Sequence, residues 1–133
     1  MTAAPLLVFD GDCAFCTSSV RWLEARLAGS FRAVPYQWAD LAVLGLTAQE
    51  CHARVQWVPD ERDPSAGRRS GGAAVGALLV HGGTRRGGAV GSLTRAAGLL
   101  ATAWPTAWAG EAVYRLVAAN RSRLPGGTPA CGR

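Results

Sequence analysis

The 133-residue sequence predicts a single α/β domain whose elements follow the order β-α-β-α-β-β-α, with two helices appended at the C-terminal end. Three observations predict this class. Short apolar runs alternate with stretches of helical periodicity, glycine and proline fall between them, and no internal repeat or second domain interrupts the series. The length and the hydrophobic share of 49% are those of a folded globular protein with its own core.

The first strand and the first helix are the clearest elements. The apolar run Leu6–Phe9 predicts a strand, and a helix is predicted over residues 14–28, ended by Gly29. The apolar stripe of this helix is spaced by four, three and four residues, and it consists of Cys16, Val20, Leu23 and Leu27. The stripe begins with Cys16, so we expect this side chain to face the core.

The middle of the chain completes the predicted sheet. Residues 31–36 predict a second strand, and Pro35 within it indicates a sheet edge or a strand end. Thr47 and Glu50 form a capping-box pattern, which opens a short helix that ends near Arg54. The last two predicted strands form a hairpin, and they cover residues 55–58 and 68–70.

Helices dominate the C-terminal half. Gly71-Gly72 lead into an apolar helix over residues 73–80, which Gly82-Gly83 are predicted to close. Two more helices are predicted, over residues 89–101 and 110–122. The single domain therefore divides into a core over about residues 5–82, a helical extension over about 88–124 and a flexible tail over 125–133.

Charge is divided unevenly along the chain. All 14 basic residues are arginine; residues 1–66 carry five of them against eight acids, and residues 67–133 carry nine against one. The two halves therefore have net charges of −3 and +8. A basic half can contact nucleic acid or an acidic partner, but no basic–aromatic cluster or nucleic-acid motif is present. We expect an arginine-covered surface and no nucleic-acid partner.

The sequence shows no targeting or membrane segment. Residues 1–4 contain no basic side chain, and Asp10 interrupts the first apolar run, so no secretory signal is expected. The longest uncharged stretch lies between Arg95 and Glu111, and it is too short to span a bilayer. We therefore expect a cytoplasmic monomer with no membrane partner.

A Cys-X-X-Cys pair, Cys13 and Cys16, lies where the first strand passes into the first helix. Unpaired backbone N–H groups and the positive end of the helix dipole favour a thiolate at Cys13, and the thiolate is the form that attacks disulfides. We expect Cys13 to face outward as the attacking sulfur and Cys16 to face inward as the resolving sulfur. In a reducing compartment such a close pair is catalytic or metal-binding.

Three residues precede this pair. Asp10 ends the first strand, and we expect it either to take and return the proton of Cys16 or to cap the turn and the helix. Asp12 is predicted to be a cap. Gly11 is predicted to serve a tight turn, in which φ can be positive.

A metal site is an alternative use of the same residues. A zinc ion could be bound by Cys13, Cys16, Cys51 or His52, and Cys131. Because Cys51 and His52 are adjacent, they cannot easily bind one ion, and we predict no metal and no organic cofactor. Cys51 is expected to pack within a helix, and Cys131 to be either a bystander or an auxiliary thiol on the tail.

Two blocks carry a family resemblance. The segment Phe9-Asp10-Gly11-Asp12-Cys13-Ala14-Phe15-Cys16 resembles the Asp-Gly-X-Cys-X-X-Cys signature of the DCC family of thiol–disulfide oxidoreductases. The segment from Tyr114 through the Asn-Arg-X-Arg pattern at Asn120 to Cys131 resembles the C-terminal block of that family. The resemblance implies a thioredoxin-like fold and a protein-disulfide reductase type of activity. The predicted element order, with the Cys pair at its first β-to-α turn, matches the same fold.

One feature departs from thioredoxins, which have a cis-proline just before the third strand. Here His52, Ala53 and Arg54 precede the predicted strand, so the usual peptide groove is not predicted. The sequence as a whole predicts thiol–disulfide exchange by Cys13, Cys16 and Asp10 on a disulfide-containing protein or small molecule, with an unidentified electron donor. The alternative is a zinc-binding protein or a non-enzymatic thiol adaptor whose basic C-terminal half binds a partner.

Overall fold

The computed structural model describes residues 4–27, 29–102, 107–121 and 123. Its elements follow the predicted order, with one additional short helix and a 3-10 turn at Tyr36–Trp38. The strands are β1 (Leu6–Phe9), β2 (Arg32–Pro35), β3 (Gln56–Val58) and β4 (Arg69–Ser70). The helices are α1 (Ala14–Arg26), α2 (Leu41–Leu44), α3 (Ala48–Ala53), α4 (Gly71–Arg86), α5 (Gly88–Thr102) and α6 (Ala107–Asn120).

Four strands of the described chain form one sheet in the order β2-β1-β3-β4. β1 pairs with β2 in parallel, and it pairs with β3 antiparallel so that Leu6 faces Arg32 on one side and Val58 on the other. β4 extends the sheet antiparallel to β3. A parallel β-α-β unit continued by an antiparallel hairpin and a helix is the thioredoxin-like arrangement, so the predicted fold class is confirmed. Pro35 lies in the edge strand β2, as predicted.

β1 is buried on both faces of the sheet. Successive side chains of a strand point to opposite faces, so the side chains of β1 alternate between two cores. The core against α1 and α4 contains Leu7, Phe9, Trp57 and Leu78. The core against α2 and α3 contains Leu6, Val8, Val58 and Cys51. The chain leaves β1 at Asp10, which is itself only 2% exposed, and this buried strand end is where the candidate site begins.

The predicted capping box opens α3. The Thr47 hydroxyl accepts the N–H of Glu50 at 3.1 Å, and the Glu50 carboxylate accepts the N–H of Thr47 at 2.8 Å. Two of the N–H groups that a helix start leaves unpaired are thereby satisfied. The capped helix carries Cys51 into the core beneath the sheet and places His52 next to the end of β1.

The sequence analysis predicts no element between the second strand and Thr47, and the structure forms α2 there. Asp40 caps this helix, because its carboxylate accepts the N–H of Val43 at 3.3 Å. Gly45 ends it at a φ of 69°, in the left-handed region. A helix of one turn is too short to show a readable periodicity, which is why its capping residues alone did not predict it.

The prediction that Gly82-Gly83 close the fourth helix is wrong, since α4 continues to Arg86. Both glycines are buried inside the helix. A Cβ at Gly82 would lie 2.7 Å from the Leu27 side chain, and a Cβ at Gly83 would lie 2.6 Å from the backbone oxygen of Gly91 in α5. These glycines allow close packing of α4 on its neighbours and do not mark a helix end.

Gly83→Ala is therefore expected to lower the free energy of unfolding by roughly 1–2 kcal/mol net. The added methyl group would meet backbone atoms of α5, which cannot rotate away, and this cost exceeds the gain in helix propensity. Chemical denaturation measures the change, and Ser92→Ala at an exposed position of α5 is the control. Equal or greater stability of Gly83→Ala would contradict the close approach of the two helices.

The last helix begins and ends earlier than predicted, at Ala107 and Asn120 instead of residues 110 and 122. The predicted flexible tail over residues 125–133 and the predicted roles of Cys131 lie outside the described residues. Among the helices that the structure describes, none has the length and apolar character needed to cross a bilayer.

Candidate redox site

Cys13 is the N-cap residue of α1, as the position of the pair predicts. Its backbone is extended, with φ −87° and ψ 112°, and its N–H donates to the carbonyl of Asp10 at 3.3 Å. Its Sγ accepts the backbone N–H of Cys16 at 3.4 Å. The first turn of the helix thus directs a backbone donor at this sulfur, which favours negative charge on it when Cys13 is reduced.

The predicted accessibilities of Cys13 and Cys16 are reversed in the structure. Cys13 is fully buried at 0% exposure, and Cys16 is only partly buried. Cys13 belongs to a disulfide, whereas Cys16 is a free thiol, so the two are not bonded to each other in this state. The capping geometry explains the reversal, because the Cys13 side chain folds back over the first turn instead of pointing to solvent.

The residues that join β1 to α1 also correct two predictions. Asp12 is exposed and does not cap α1, since Cys13 takes that position. Gly11 has no positive φ. A glycine is needed at this position because there is no room for a side chain: a Cβ on Gly11 would lie 2.6 Å from the Cβ of Pro35 in β2.

Asp10 is held by three donors at the end of β1. The Asp12 N–H and the Gln37 amide donate to Oδ1 at 3.1 and 3.0 Å, and Nδ1 of His52 lies 2.8 Å from Oδ2. Since a carboxylate accepts, Nδ1 of His52 carries the hydrogen of this contact. Within the described residues Nε2 is buried and has no hydrogen-bond partner. Asp10 therefore lies in the site as predicted, but its direct partner is His52 and not Cys16.

Arg121, which follows α6, reaches the same site from the C-terminal end of the described chain. Its guanidinium donates to Cys16 Sγ at 3.6 Å and to the carbonyl oxygen of His52 at 2.9 Å. The residue is only 9% exposed, so little water screens its charge. Arg121 was not among the predicted site residues, although it belongs to the Asn-Arg-X-Arg pattern that carries the family resemblance.

The environment raises the pKa of Cys16 above the ordinary thiol value. Burial is the largest cause, and the negative charge of Asp10 acts in the same direction. The charge of Arg121, its hydrogen bond to the sulfur and a backbone hydrogen bond all oppose this rise in pKa. Cys16 is therefore mainly a thiol at neutral pH. Arg121 is the side chain that lowers the pKa of Cys16 and so favours its thiolate.

Cys51 is buried in the core against α2 and α3, and it is a free thiol. Burial is the main cause that raises the pKa of Cys51 to about 11; Glu50 adds to the shift and Arg68 opposes it. The predicted packing role of Cys51 is confirmed. In the part of the chain that the structure describes, no three His, Cys, Asp or Glu residues are grouped so as to hold a metal ion.

The backbone groups at the start of β3 are hydrogen-bonded within the protein. The N–H of Val55 donates to the hydroxyl of Tyr114 in α6 at 3.0 Å, and the carbonyl of Val55 accepts the N–H of Gly71 at 2.9 Å. The Arg54 guanidinium lies 5.5 Å from the centre of the Tyr114 ring and forms an ion pair with Glu111 of α6. These contacts hold α6 against the strand and use the backbone groups that a peptide would need.

A largely apolar cavity of about 620 Å³ adjoins the pair. One face of α1, one face of α6 and the sheet enclose it, with α4 beside them. Its apolar lining includes Phe9, Val20, Leu23, Val113 and Val117. Cys16 and Arg121 contribute to the wall of this cavity, so the free thiol of the pair opens onto it.

A mixed sheet with a Cys-X-X-Cys pair at its first β-to-α junction defines a thioredoxin-like domain with a dithiol site. The family model of DCC1-like thiol-disulfide oxidoreductases matches residues 7–127, and the chain belongs to this family. The matched span includes Cys13, Cys16, Asp10 and Arg121, so the predicted family is confirmed. No curated protein and no solved structure matches the chain.

Proposed function

We propose that this thiol–disulfide oxidoreductase works as a disulfide reductase, with Cys13 and Cys16 as the exchanging pair. The observation that carries the proposal is the immediate environment of the two sulfurs. A first-turn N–H points at Cys13 Sγ, and the Arg121 guanidinium contacts Cys16 Sγ. Once the Cys13 disulfide is reduced, both sulfurs thus have a donor that stabilises a thiolate. The reducing direction fits the cytoplasmic location that the sequence predicts, where thiols are kept reduced.

The reaction proceeds through a mixed disulfide. A thiolate of the reduced pair attacks one sulfur of R–S–S–R′, its S–S bond breaks, and R′–S⁻ leaves and takes up a proton. The second cysteine then attacks the protein sulfur of the mixed disulfide, forms the Cys13–Cys16 bond and releases R–SH. Two electrons pass from the pair to the substrate, and a dithiol donor reduces the pair again.

Accessibility supports Cys16 as the sulfur that meets the substrate. Cys16 is a partly exposed free thiol on the cavity wall, whereas Cys13 is buried. Cys13, at the N-cap, serves as the resolving thiolate after its own disulfide has been reduced, which reverses the roles that the sequence predicted. Since the pKa of Cys16 is raised, we expect the rate of attack to increase with pH as the thiolate forms.

Asp10 takes part in proton handling together with His52. Its carboxylate fixes the imidazole through Nδ1, and the buried Nε2 has no hydrogen-bond partner among the described residues. Asp10, which the sequence predicted as a catalytic residue, acts here as the positioning residue of His52, because its hydrogen bonds go to His52, Gln37 and the N–H of Asp12. In the sequence analysis His52 entered only as a possible metal ligand.

Turnover of two disulfides by the full chain tests the proposed function. With dithiothreitol as the dithiol donor, we expect the wild type to accelerate the reduction of insulin and of bis(2-hydroxyethyl) disulfide over dithiothreitol alone. The double variant Cys13→Ser/Cys16→Ser should show no acceleration. If the wild type is no faster than dithiothreitol alone, the enzyme assignment fails and the non-enzymatic thiol adaptor is favoured.

A further inference from the structure

The cavity beside Cys16 is a gap between two helix faces. On α1 its wall is a stripe that includes Cys16, Val20 and Leu23, and on α6 it is a stripe that includes Val113 and Val117. Each set is spaced by three or four residues, so each is one continuous side of its helix. Val113 and Val117 remain 60% and 37% exposed, so the described chain does not cover this wall of α6.

Such a gap is unusual in a small protein. Protein interiors are close-packed, and between these two helix faces the described residues leave an apolar space of about 620 Å³. Its volume falls within the range of sites that bind small organic molecules, which are mostly apolar and carry a few polar groups. Here the polar groups include the Cys16 thiol and the Arg121 guanidinium, and Asp10 already binds its own donors.

The backbone beside the site argues against an extended peptide as occupant. A bound peptide strand needs free N–H and C=O groups for pairing. At Val55 the N–H is bound by Tyr114 and the C=O by Gly71. Binding a peptide at the start of β3 would therefore require the contacts of α6 with this strand to break.

We propose that the cavity binds a small disulfide with an apolar body, placing its S–S bond at Cys16. This assignment rests on the proposed function and names its substrate class. The apolar walls match the alkyl or aryl groups of such a molecule, and the positive charge of Arg121 matches the thiolate that leaves when the S–S bond breaks. A polypeptide disulfide and a polar small disulfide are the competing substrates.

The chemical step conserves atoms and electrons. The Cys16 thiolate attacks R–S–S–R, the substrate S–S bond breaks, and R–S⁻ leaves next to Arg121 and is protonated to R–SH. The remaining R group stays in the cavity as the mixed disulfide Cys16–S–S–R. The reduced Cys13 sulfur attacks Cys16 Sγ, a second R–SH leaves, and a dithiol such as dithiothreitol returns two electrons to the Cys13–Cys16 disulfide.

Two dialkyl disulfides of nearly equal size test the preference. Dipropyl disulfide differs from bis(2-hydroxyethyl) disulfide only in carrying a methyl group where the other has a hydroxyl at each end. With the full chain and dithiothreitol we expect kcat/KM, corrected for dithiothreitol alone, to be about tenfold higher for the apolar compound. Equal values, or a higher value for the polar disulfide or for insulin, would overturn the proposal.

A matched pair of variants on α6 connects that preference with the cavity. Ala118 lines the cavity, and its neighbour Ala119 is exposed and lies outside the lining. We expect Ala118→Phe to fill the space and remove the preference for the apolar disulfide, and Ala119→Phe to retain it. An unchanged preference in Ala118→Phe would overturn the cavity as the binding site.

These outcomes separate the substrate assignment from the proposed function. If all disulfides are reduced without an apolar preference, the reductase stands and the substrate class is wrong. If the wild type reduces none of them, the reductase itself is wrong, and the substrate assignment fails with it.

Circular dichroism of both phenylalanine variants checks that each is folded, and binding of the apolar dye N-phenyl-1-naphthylamine gives a readout that needs no turnover. The dye should bind the wild type and Ala119→Phe but not Ala118→Phe, and equal binding to all three would contradict the cavity site.

Discussion

Cys16→Ser is expected to lower kcat/KM for disulfide reduction by roughly 10³-fold or more. A serine hydroxyl is not ionised at the pH of the assay, and no base of the described site lies within hydrogen-bonding distance of Cys16 Sγ to activate it. The change is nearly isosteric, so the contact with Arg121 and the packing of α1 should persist. The reduction of bis(2-hydroxyethyl) disulfide in the presence of dithiothreitol measures the loss.

The two single variants distinguish the roles of the pair. Cys13→Ser removes the resolving sulfur, so it should accumulate a mixed disulfide on Cys16 that mass spectrometry detects, while Cys16→Ser should accumulate none. Cys51→Ala is the matched control for removal of a buried thiol, and we expect it to retain activity within about twofold of the wild type. If a mixed disulfide instead accumulates on Cys13 in Cys16→Ser, the roles follow the sequence prediction and not the accessibility.

Arg121→Gln is expected to slow alkylation of Cys16 at pH 7 by about tenfold, which corresponds to a change of one pKa unit in the thiolate population. Burial and the charge of Asp10 already raise the pKa of Cys16, and Arg121 is the charge that opposes them. Its removal raises the pKa further, so less thiolate is present at neutral pH. The rate should still increase with pH, but the whole curve should move to higher pH.

Peptide mass spectrometry after timed reaction with iodoacetamide follows Cys16 separately from the other thiols. Arg123→Gln is the matched control, because it removes the same charge two residues further along, from an exposed position. We expect its curve to coincide with that of the wild type. Equal shifts in the two variants would mean that only overall charge matters, and an unshifted Arg121→Gln curve would remove Arg121 from the site.

Local sequence signals predicted the elements that carry the Cys pair. The apolar run Leu6–Phe9 is β1 with the predicted bounds, and the turn that follows it starts α1 at Ala14. The capping box at Thr47 also formed as predicted, because both of its side chains act within one helical turn. Such features depend on neighbours a few residues apart, which is the range over which periodicity and capping are visible in a sequence.

The contacts around Cys16 and Asp10 join residues that are far apart in the sequence, so no local sequence pattern predicts them. Arg121 is 105 residues from Cys16, and His52 is 42 residues from Asp10. The exposure of Cys13 was predicted from its place at the helix start, but the hydrogen bond from Cys16 turns its side chain inward. The prediction for Gly83 was wrong because it also depends on a distant contact. A single sequence does not distinguish a glycine that ends a helix from a glycine that lets a second helix pack closely.

Disulfide mapping after one turnover tests most directly whether Cys13 and Cys16 act as one redox pair. The fully reduced chain is mixed with one equivalent of a small disulfide, quenched with acid and digested without reductant. We expect a single peptide that carries an intact Cys13–Cys16 disulfide, together with the loss of two thiols per chain. In the structure Cys13 is in a disulfide that leaves Cys16 free, so the fully reduced starting state is essential. Substrate consumed while Cys16 remains a free thiol would contradict this account.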